Sequence, residues 1–438
     1  MKDIIELLPD NWEVKKFRQI FSFRKGLSIT KEDLLEEGYP VISYGQVHSK
    51  ENTGIGINQT LIRFVSEKYL YTDKISIVEP GDFIFADTSE DIDGVGNCVF
   101  VDFKSTLFAG YHTIIVHPTI SECYSPYFAF LFLTDFWRAN LRAKVMGVKV
   151  FSITQKLLRE TFVVLPPVYE QRAIAIFLHK ECAQIDSIAA DLEKQIALLQ
   201  QYKKSLITET VTKGLDKSVP MKDSGVEWIG EIPKHWGISR VRHLASLCSG
   251  ATPSKDVLSY WEGNIPWVSS QEVKSDIIKD TSLHISEEAI NSCSTQLMPA
   301  GTLVMVVRSG ILQHTIPVAL LGIPATINQD IKAFQFNHLM FPAYFKYYIQ
   351  GENDALLSVI IKDKTTVESV DNQLLLSLKI MVPPIEEQKA IVAFLNYKCG
   401  YIDKILNDKQ EQLNLLMQHK KSLIYEYVTG KKRVKEVR

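Results

Sequence analysis

The 438-residue sequence has no run of about 18 apolar residues, which is the length that a membrane-spanning helix needs. Its first residues, MKDIIELLPDNWEVKKF, contain no apolar stretch behind a basic end, so the sequence predicts no export signal. Cysteine is also scarce, and the six cysteines occur singly, without a CxxC pair or a Cys/His pair at zinc spacing. A chain of this length does not depend on disulfides. These absences predict a reducing, cytoplasmic location, no membrane partner and no metal site.

The common catalytic motifs are missing as well. The sequence contains no GxxxxGK[ST] loop, no GxGxxG after a strand, no HExxH and no GxSxG, so we expect no catalytic residue. Two Pro-Pro sites superficially resemble the Asn-Pro-Pro-aromatic motif of amino-methyltransferases. Leu165 and Val382 stand where the Asn would have to be, which disfavours a self-contained methyltransferase. The net charge of −2 neither indicates nor excludes nucleic acid, because binding depends on where the Lys and Arg side chains lie.

What the sequence does contain is a long internal repeat. Residues 166–212 return 217 positions later as 383–429, and by direct count 25 of the 47 aligned positions are identical. The segments at 8–20 and 232–244 also resemble each other, whereas the sequences between these markers diverge almost completely. A unit this large is too long for a solenoid repeat, so each copy predicts one half of a pseudo-symmetric protein. Shared ends and divergent middles predict a common scaffold that carries two different reading surfaces.

The repeated segments predict long helices. Each begins with Pro-Pro and an acidic first turn, which is typical of a helix N-terminus, although Gly400 is expected to break or kink the second. Apolar residues recur at heptad-like spacing in both copies, so we expect the two stripes to pack as an antiparallel pair. Tyr202 of the first copy and its counterpart His419 of the second also fall on this spacing, and Lys409 replaces an apolar position in the second copy. The predicted stripe residues, which we also assign to partner docking, are Ile185, Ile188, Leu192, Ile196, Leu199, Leu206, Ile402, Ile405, Leu413, Leu416 and Leu423.

The divergent middles predict strand-rich domains. Short β-branched or aromatic segments bounded by Gly, Pro or Asp predict strands at 82–86, 113–117, 302–307 and 377–382. One amphipathic helix is expected at 126–143 and its counterpart at 342–351. The predicted boundaries are 1–165 for the first domain, 166–213 for the first helical segment, 214–231 for a linker, 232–382 for the second domain, 383–430 for the second helical segment and 431–438 for a basic tail.

Polar insertions between the predicted strands supply candidate nucleic-acid contacts. Lys and Arg neutralise phosphates, while Arg, Asn and Gln can make paired hydrogen bonds to base edges. Each such residue can also be ordinary solvated surface, and the pair at 111–112 can equally pack at a strand end. The candidates are Tyr44, Gln46, His112, Arg142, Lys144, Lys149, Ser270, Gln271, Arg308, Asn328, Gln329, Lys362 and Lys364.

With these motifs in view, the chain resembles the specificity subunits of type I restriction-modification systems over essentially its whole length. The most specific parts are the paired PPxxEQxxI…FL…ID…KKSLI helices and the central GVEWIGEIPKHW segment at 225–236. Gly81-Asp82, Gly301-Thr302, Arg308-Ser309-Gly310 and Asn328-Gln329-Asp330 also resemble recurrent family patterns. The first domain departs from them, because Asp87-Thr88-Ser89 stands in place of an Arg-Ser-Gly. Its mode of reading base pairs is therefore less predictable.

The resemblance implies an α+β fold with two target recognition domains in pseudo-two-fold symmetry, separated by two long helices that pack as an antiparallel coiled coil. It implies that each domain reads one half of a split site in double-stranded DNA and that the helices set the spacer between the half-sites. The implied partners are two modification subunits, which methylate adenine with S-adenosylmethionine, and restriction subunits that use ATP and Mg. None of these cofactors is expected on this chain.

Two other interpretations stay open on the sequence. The chain could serve a related fused or two-subunit restriction system, which neighbouring genes would distinguish. It could also be a scaffold of duplicated coiled-coil arms that binds no DNA, although the divergence of the two middles argues against this. Sequence-dependent DNA binding would exclude the scaffold. The recognised bases do not follow from one sequence, because DNA shape contributes to readout as well as direct contacts.

Overall fold

A computed structural model describes residues 8–145, 150–293, 295–361 and 367–434. The chain divides into two compact units, which we call the first unit (1–192 with 411–438) and the second unit (193–410). Each unit therefore combines one divergent middle with parts of both repeated segments. Within the ranges described, no helix has the length and apolar character that crossing a membrane requires.

The first unit contains two four-stranded sheets built mainly from short, buried strands. Its strands are β1 Glu13–Lys16, β2 Phe21–Lys25, β3 Tyr39–Ile42, β4 Arg63–Val65, β5 Ile77–Val78, β6 Phe83–Ala86, β7 Thr88–Ser89, β8 Cys98–Phe100, β9 Leu107–Ala109, β10 Thr113–Pro118, β11 Phe151–Ser152 and β12 Phe162–Leu165. One sheet has the antiparallel order β2-β10-β6-β8, and the other has the order β4-β3-β9-β5 with β3 parallel to β9. The central strand β6 is buried along its whole length, as its unbroken apolar run predicts.

Strands of the second unit repeat this plan. They are β13 Met221–Asp223, β14 Glu231–Pro233, β15 Gly237–Arg240, β16 Ala245–Ser249, β17 Ile265–Val268, β18 Ile277–Ile278, β19 His284–Ile285, β20 Leu303–Val306, β21 Val318–Leu321, β22 Thr326–Ile327, β23 Ile331–Phe336 and β24 Lys379–Val382. The main sheet has the order β16-β23-β20-β21-β18, and a smaller one has the order β19-β17-β22 with β17 parallel to β22. The four strands predicted from the sequence correspond to β6, β10, β20 and β24, so those predictions are confirmed.

The α-helices fall into short connecting segments and two long ones. They are α1 Tyr44–Val47, α2 Tyr69–Thr72, α3 Ser125–Phe132, α4 Asp135–Arg142, α5 Gln155–Arg159, α6 Val168–Lys213, α7 Glu287–Ser292, α8 Pro342–Gly351, α9 Asn353–Ile360, α10 Asn372–Ser377 and α11 Ile385–Val428. Single 3₁₀ turns lie at Phe17–Gln19, Lys31–Asp33, Gln59–Leu61, Lys74–Ser76, Val241–His243, Leu258–Trp261 and Gly310–Gln313.

Two helix predictions need correction and one is confirmed. The helix expected at 126–143 is two helices, because Thr134 caps a new one: its Oγ1 accepts a hydrogen bond from Trp137 N, and Asp135 follows in the first turn. Gly400 does not break its helix, since α11 is continuous through it. The helix predicted at 342–351 has those bounds as α8.

In each unit the two long helices pack antiparallel. In the first unit Phe177 of α6 contacts Tyr427 of α11. Asp186, which follows Phe177 on α6, binds Lys420, which precedes Tyr427 on α11. In the second unit Gln195 of α6 lies opposite Lys409, and Lys203 lies opposite Asp403. Residue numbers rise on one helix as they fall on the other, so the antiparallel prediction is confirmed within each unit.

The buried stripe departs from the predicted one at Ile188 and at Tyr202, whose side chain is 56% exposed while Lys203 takes its place. Ile185, Ile402 and Leu423 are buried, but the Ile188 side chain is 52% exposed and Ala189 takes the buried place. The remaining predicted positions are partly buried: Leu192, Ile196, Leu199, Leu206, Ile405, Leu413 and Leu416. The stripe thus runs 185, 189, 192, 196, 199, 203 and 206, which is the alternating four-and-three spacing of a heptad repeat.

Each unit has one large core that both long helices help to form. The first core gathers aromatic residues such as Phe132 and Trp137, whose ring centroids are 4.5 Å apart, and includes Ile424 and Val428 of α11. The second includes Ile207 and Val211 of α6 in the same role. Because Val211 and Val428 are 217 residues apart, the internal repeat is also a repeat of three-dimensional contacts.

Candidate nucleic-acid interface

In the first unit, the loops that follow strands β3, β6 and β9 lie next to one another. The backbone N–H of Tyr44, after β3, donates to Tyr111 O after β9 at 3.2 Å, and Asp87 N, after β6, donates to His112 O at 3.0 Å. We call Tyr44, Gln46, Asp87, Tyr111 and His112 the first loop edge. Three of the predicted contact residues, Tyr44, Gln46 and His112, therefore share one surface.

The second unit gathers equivalent loops. Asn328 N, after β22, donates to Val268 O at the end of β17 at 3.0 Å, and Val307 N, after β20, donates to Asp330 O at 2.8 Å. We call Ser270, Gln271, Arg308, Asn328 and Gln329 the second loop edge. All five were predicted as contact residues, and the structure places them in loops that meet at one edge.

Strand register makes the two loop edges equivalent position by position. Ile42 pairs with Ala109 in the first unit as Val268 pairs with Ile327 in the second. Counting on from these pairs, the positions of Tyr111 and His112 correspond to those of Gln329 and Asp330. The same scaffold therefore presents two aromatic rings on one edge and an amide with a carboxylate on the other.

Aromatic rings dominate the first loop edge. The Tyr44 ring lies 5.5 Å from both the Tyr111 and the His112 ring, in edge-on geometry. His112 Nδ1 lies 3.2 Å from Asp87 Oδ1, and the His112 side chain is 59% exposed. Gln46 Oε1 accepts from Ser43 N at 3.1 Å, so its carbonyl caps helix α1.

Two clefts adjoin this aromatic group. One, of about 530 Å³, is lined by Tyr44, His48 and Asn97 together with an acidic segment at 90–93. The other, of about 610 Å³, is lined by Asp87, Tyr111 and His112 together with Lys25 and Lys156. The exposed His112 ring and the partly buried Tyr44 and Tyr111 rings thus lie beside clefts with polar and charged walls.

The second loop edge carries longer polar side chains. Gln329 Oε1 accepts from Thr252 Oγ1 at 2.6 Å, while buried Asn328 binds the Asp330 backbone N–H through Oδ1 at 3.1 Å. Arg308 and Gln271 are exposed and Ser270 is partly buried. Arg308 forms a backbone bridge to Ser369. An exposed guanidinium and amide side chains are groups that can recognise a base edge.

The predicted basic run in the first unit is largely engaged within the fold. Arg142 donates to Asp135 Oδ1 at 2.7 Å and to Asp93 O at 2.9 Å. Lys144 donates to Glu160 O at 3.0 Å. Neither belongs to the first loop edge as defined here. Lys149, Lys362 and Lys364 lie outside the described residues.

Helix starts in the two units are fixed by the same pair of side chains. Gln171 Nε2 donates to Glu122 O and Pro166 O at 2.8 and 2.7 Å, and its Oε1 accepts from Tyr124 N at 2.8 Å. In the second unit Gln388 makes the same three bonds with Leu339 O, Pro383 O and Phe341 N. The repeated Gln therefore joins each long helix to the domain before it.

The neighbouring Glu has an equally repeated role. Glu170 accepts from the indole N–H of Trp12 at 3.0 Å, and Glu387 accepts from that of Trp236 at 3.0 Å. A negative side chain in the first helical turn also interacts favourably with the helix dipole. From sequence the repeated Glu-Gln predicts only a helix start, because its partners lie far away along the chain.

Two ion pairs recur where the long helices meet. Lys203 Nζ lies 2.6 Å from Asp403 in the second unit, and Lys420 Nζ lies 2.6 Å from Asp186 in the first. Both lysines occupy positions of the heptad stripe and are mostly buried, with 28% and 17% of their side chains exposed. Each long helix thus carries one Asp and one Lys that match the other helix in antiparallel pairing.

Tyrosine hydroxyls tie the helix ends to the domains. Tyr127 donates to Val428 O and Tyr344 donates to Val211 O, both at 2.9 Å. Burial raises the pKa of both hydroxyls well above the usual value, so they remain donors. The carbonyls they satisfy belong to the last turns of α11 and α6, which have no partner inside the helix.

No feature of a metal or thiol site is seen in the part of the chain that the structure describes. There, no group of three or more His, Cys, Asp or Glu side chains is arranged to hold a metal ion. Cys182 and Cys399 are buried on the long helices. Burial raises the pKa of Cys182 to about 11 and raises that of Cys399, so both behave as small core residues.

Comparison with known proteins agrees with this architecture. The family model described as "Type I restriction modification DNA specificity domain" matches residues 9–198 and 233–415. Since these two matches cover most of the chain, it belongs to the type I restriction-modification DNA specificity family, and it is a specificity subunit of such a system.

Two curated relatives illustrate the range of similarity. The chain is 36% identical over 184 residues to the Escherichia coli type I restriction enzyme EcoR124I/EcoR124II specificity subunit, which covers 41% of this chain and 43% of that protein. It is 24% identical over 437 residues to the putative type I restriction enzyme MjaX specificity subunit of Methanocaldococcus jannaschii, covering 98% of this chain and 95% of that protein.

Two solved structures share the fold. A chain from a structure of complex assembly and conformational transition of the type I R-M system matches with a TM-score of 0.72 and 17% identity, covering 97% of this chain and 99% of that one. The HsdS subunit from Thermoanaerobacter tengcongensis matches with a TM-score of 0.53 and 14% identity, covering 97% and 98%. At these identities the likeness concerns the fold, and it confirms the predicted α+β architecture.

Proposed function

We propose that this chain selects DNA sequences for a type I restriction-modification complex without catalysing a reaction itself. Residues 1–165 and 232–382 act as two recognition domains, each of which reads one half of a bipartite site. The observation that carries this proposal is the pair of loop edges. They are topologically equivalent, yet they present different side chains, as two readers of different half-sites require.

Residues of the two loop edges supply the proposed DNA contacts. Tyr44, Gln46 and His112 read the first half-site, and Ser270, Gln271, Arg308 and Gln329 read the second, while buried Asn328 orders the loop that carries Gln329. Exposed Arg308 is suited to a guanine edge, since a guanidinium can donate twice to O6 and N7. The basic candidates Lys144, Lys149, Lys362 and Lys364 are assigned to the phosphate backbone, which positions a protein without reading sequence, whereas Arg142 is held within the fold by Asp135 and the Asp93 carbonyl.

The long helices set the unread spacer in this proposal and dock two modification subunits. Repetition supports the docking role, because a partner that binds in two copies needs two equivalent surfaces. Leu198 in the second unit and Leu415 in the first occupy equivalent positions of the repeat, and their side chains are 54% and 57% exposed. Two exposed leucines 217 residues apart offer such a repeated apolar contact.

The cofactors of the reaction belong to the partners. We propose that S-adenosylmethionine binds the modification subunits and that ATP and Mg bind restriction subunits, with cleavage and methylation carried out in the cytoplasm. A related two-subunit restriction system would use the same recognition surfaces with a different partner. Copurification with the products of the neighbouring genes distinguishes the two arrangements.

Mapping of methylated adenines tests the proposal. DNA from cells that express the chain with its modification subunit should carry N6-methyladenine in a split motif with a fixed unread gap, and the motif should vanish when the chain is omitted. A stable complex that adds no methylation would contradict the proposal and favour a scaffold that does not select DNA.

A further inference from the structure

The backbone of His112 lies in the left-handed region, which residues other than glycine occupy uncommonly. Its φ is 54°, and it is the one non-glycine residue with positive φ among those the structure describes. A side chain at positive φ meets steric crowding, so such a residue costs free energy and persists only where its surroundings hold it. Strain of this kind is concentrated at functional sites.

Asp87 holds His112 at two points. Its backbone N–H donates to His112 O at 3.0 Å, and its carboxylate lies 3.2 Å from His112 Nδ1. The same carboxylate oxygen accepts from Thr88 Oγ1 at 2.8 Å, which orients it. Because a carboxylate only accepts hydrogen bonds, Nδ1 carries a proton here and Nε2 is the remaining polar atom of the ring.

The His112 side chain is not buried, so packing in the core does not compensate for its strained backbone. The His112 side chain is 59% exposed, while the Tyr44 and Tyr111 rings lie 5.5 and 6.0 Å from it. The His112 imidazole is therefore exposed to solvent beside two aromatic rings, and it does not pack into the core.

The shared scaffold does not require this conformation either. In the second unit the equivalent position is Asp330. Its backbone N–H donates a hydrogen bond to Asn328 Oδ1 at 3.1 Å, and its φ is not positive. Both positions accept the same kind of backbone hydrogen bond, from Asp87 in the first unit and from Val307 in the second. The strain is thus particular to the first loop edge.

We propose that His112 is the specificity-determining residue of the first half-site, that its Nε2 contacts a base edge of duplex DNA, and that Asp87 is its positioning residue. This inference rests on the proposed function. It predicts that relief of the strain and loss of specificity go together, because the strained backbone serves recognition.

The test compares methylation motifs of complexes that contain the full chain and its modification subunit. After the wild-type motif is mapped, His112→Gly and His112→Asn are introduced, since both residues tolerate positive φ. We expect discrimination at one or more positions of a single half-site to fall roughly tenfold or more. The other half-site should be retained, and the thermal unfolding temperature should be equal to or above that of the wild type.

A matched control lies on β10, the strand that follows His112. His117, at the other end of β10, pairs with Asp82 through a 2.6 Å contact and is part of no loop edge. His117→Gln should therefore leave both half-sites unchanged.

Asp87→Asn tests the positioning residue and should weaken discrimination at the same base position as His112→Gly. The double variant should lose no more discrimination than His112→Gly alone, as expected for residues that act as one unit.

The outcomes separate this inference from the proposed function. A full wild-type motif with His112→Gly would overturn the inference. Uniformly weaker methylation of all sequences would also overturn it, because that is the result expected of a phosphate contact. A wild-type complex with no split motif would instead overturn the proposed function on which the inference depends.

Discussion

At the scale of single residues, the identities in the repeat are explained by contacts that recur in both units. Gln171 and Gln388 bind three backbone groups each, and Glu170 and Glu387 each accept from a tryptophan indole. The sequence predicted a helix start at these positions from the Pro-Pro and the acidic turn. It could not predict the partners of the glutamines, because the residues at 122–124 and 339–341 approach them only through the tertiary fold.

Replacement of Gln171 by Leu is therefore expected to destabilise the first unit. The side chain is fully buried, and its loss leaves two carbonyls and one N–H without their hydrogen-bond partner. Each such group that stays buried and is not reached by water costs roughly 1–3 kcal/mol of stability. We expect a loss of about 2–4 kcal/mol in the free energy of unfolding, measured by urea denaturation followed by circular dichroism.

Gln201→Leu, on an exposed face of the same helix, serves as the control and should change the free energy of unfolding by less than about 0.5 kcal/mol. Equal effects of the two substitutions would contradict the assigned role of Gln171.

At the scale of the elements, the stripe shows what hydrophobicity alone can and cannot predict. Apolar spacing predicted the helices, their pairing and most of the buried positions. It favoured Ile188 where the smaller Ala189 is buried, and it had no means to place Lys203 in the stripe. A lysine can lie there because its aliphatic stem packs along the apolar surface while its ammonium reaches Asp403.

Charge reversal tests the pairing of the helices. Asp403→Lys should destabilise the chain because it places two ammonium groups together, and Lys203→Asp should do the same with two carboxylates. The double reversal should restore stability, with a coupling of about 1 kcal/mol in a double-mutant cycle measured by thermal unfolding. The exposed pair Glu386 and Lys389 should show a coupling near zero. A coupling near zero for Lys203 and Asp403 as well would argue against their role in pairing.

Helix length is the second element-scale variable. Insertion of one heptad at equivalent positions of α6 and α11, within the stripe, should preserve the pairing and add about 10 Å to each helix. The proposed spacer role predicts that the unread gap of the methylated motif grows by roughly three base pairs, with both half-sites unchanged. A seven-residue substitution of the same segment without a change of length is the control, and an unchanged gap after insertion would refute the spacer role.

At the scale of the whole molecule, the duplication with divergent middles predicted two strand-rich domains on one scaffold, and the fold agrees. The loop edges were less accessible from sequence. Candidate residues such as Gln46 and Arg308 could be selected for their chemistry. Within each unit, however, the convergence of the loops depends on strands that are distant in sequence, because β3 pairs with β9 and β17 pairs with β22. The sequence also could not show which basic side chains form hydrogen bonds within the fold, as Arg142 does with Asp135.

The most direct test of the account is selection of bound DNA from a randomised duplex library by the purified complex of this chain with its modification subunit. The proposed function predicts two blocks of fixed bases separated by a constant unread gap, with Arg308→Ala relaxing one block and His112→Gly relaxing the other. A single block, or bound DNA with no sequence preference, would contradict the claim that one scaffold carries two different readers.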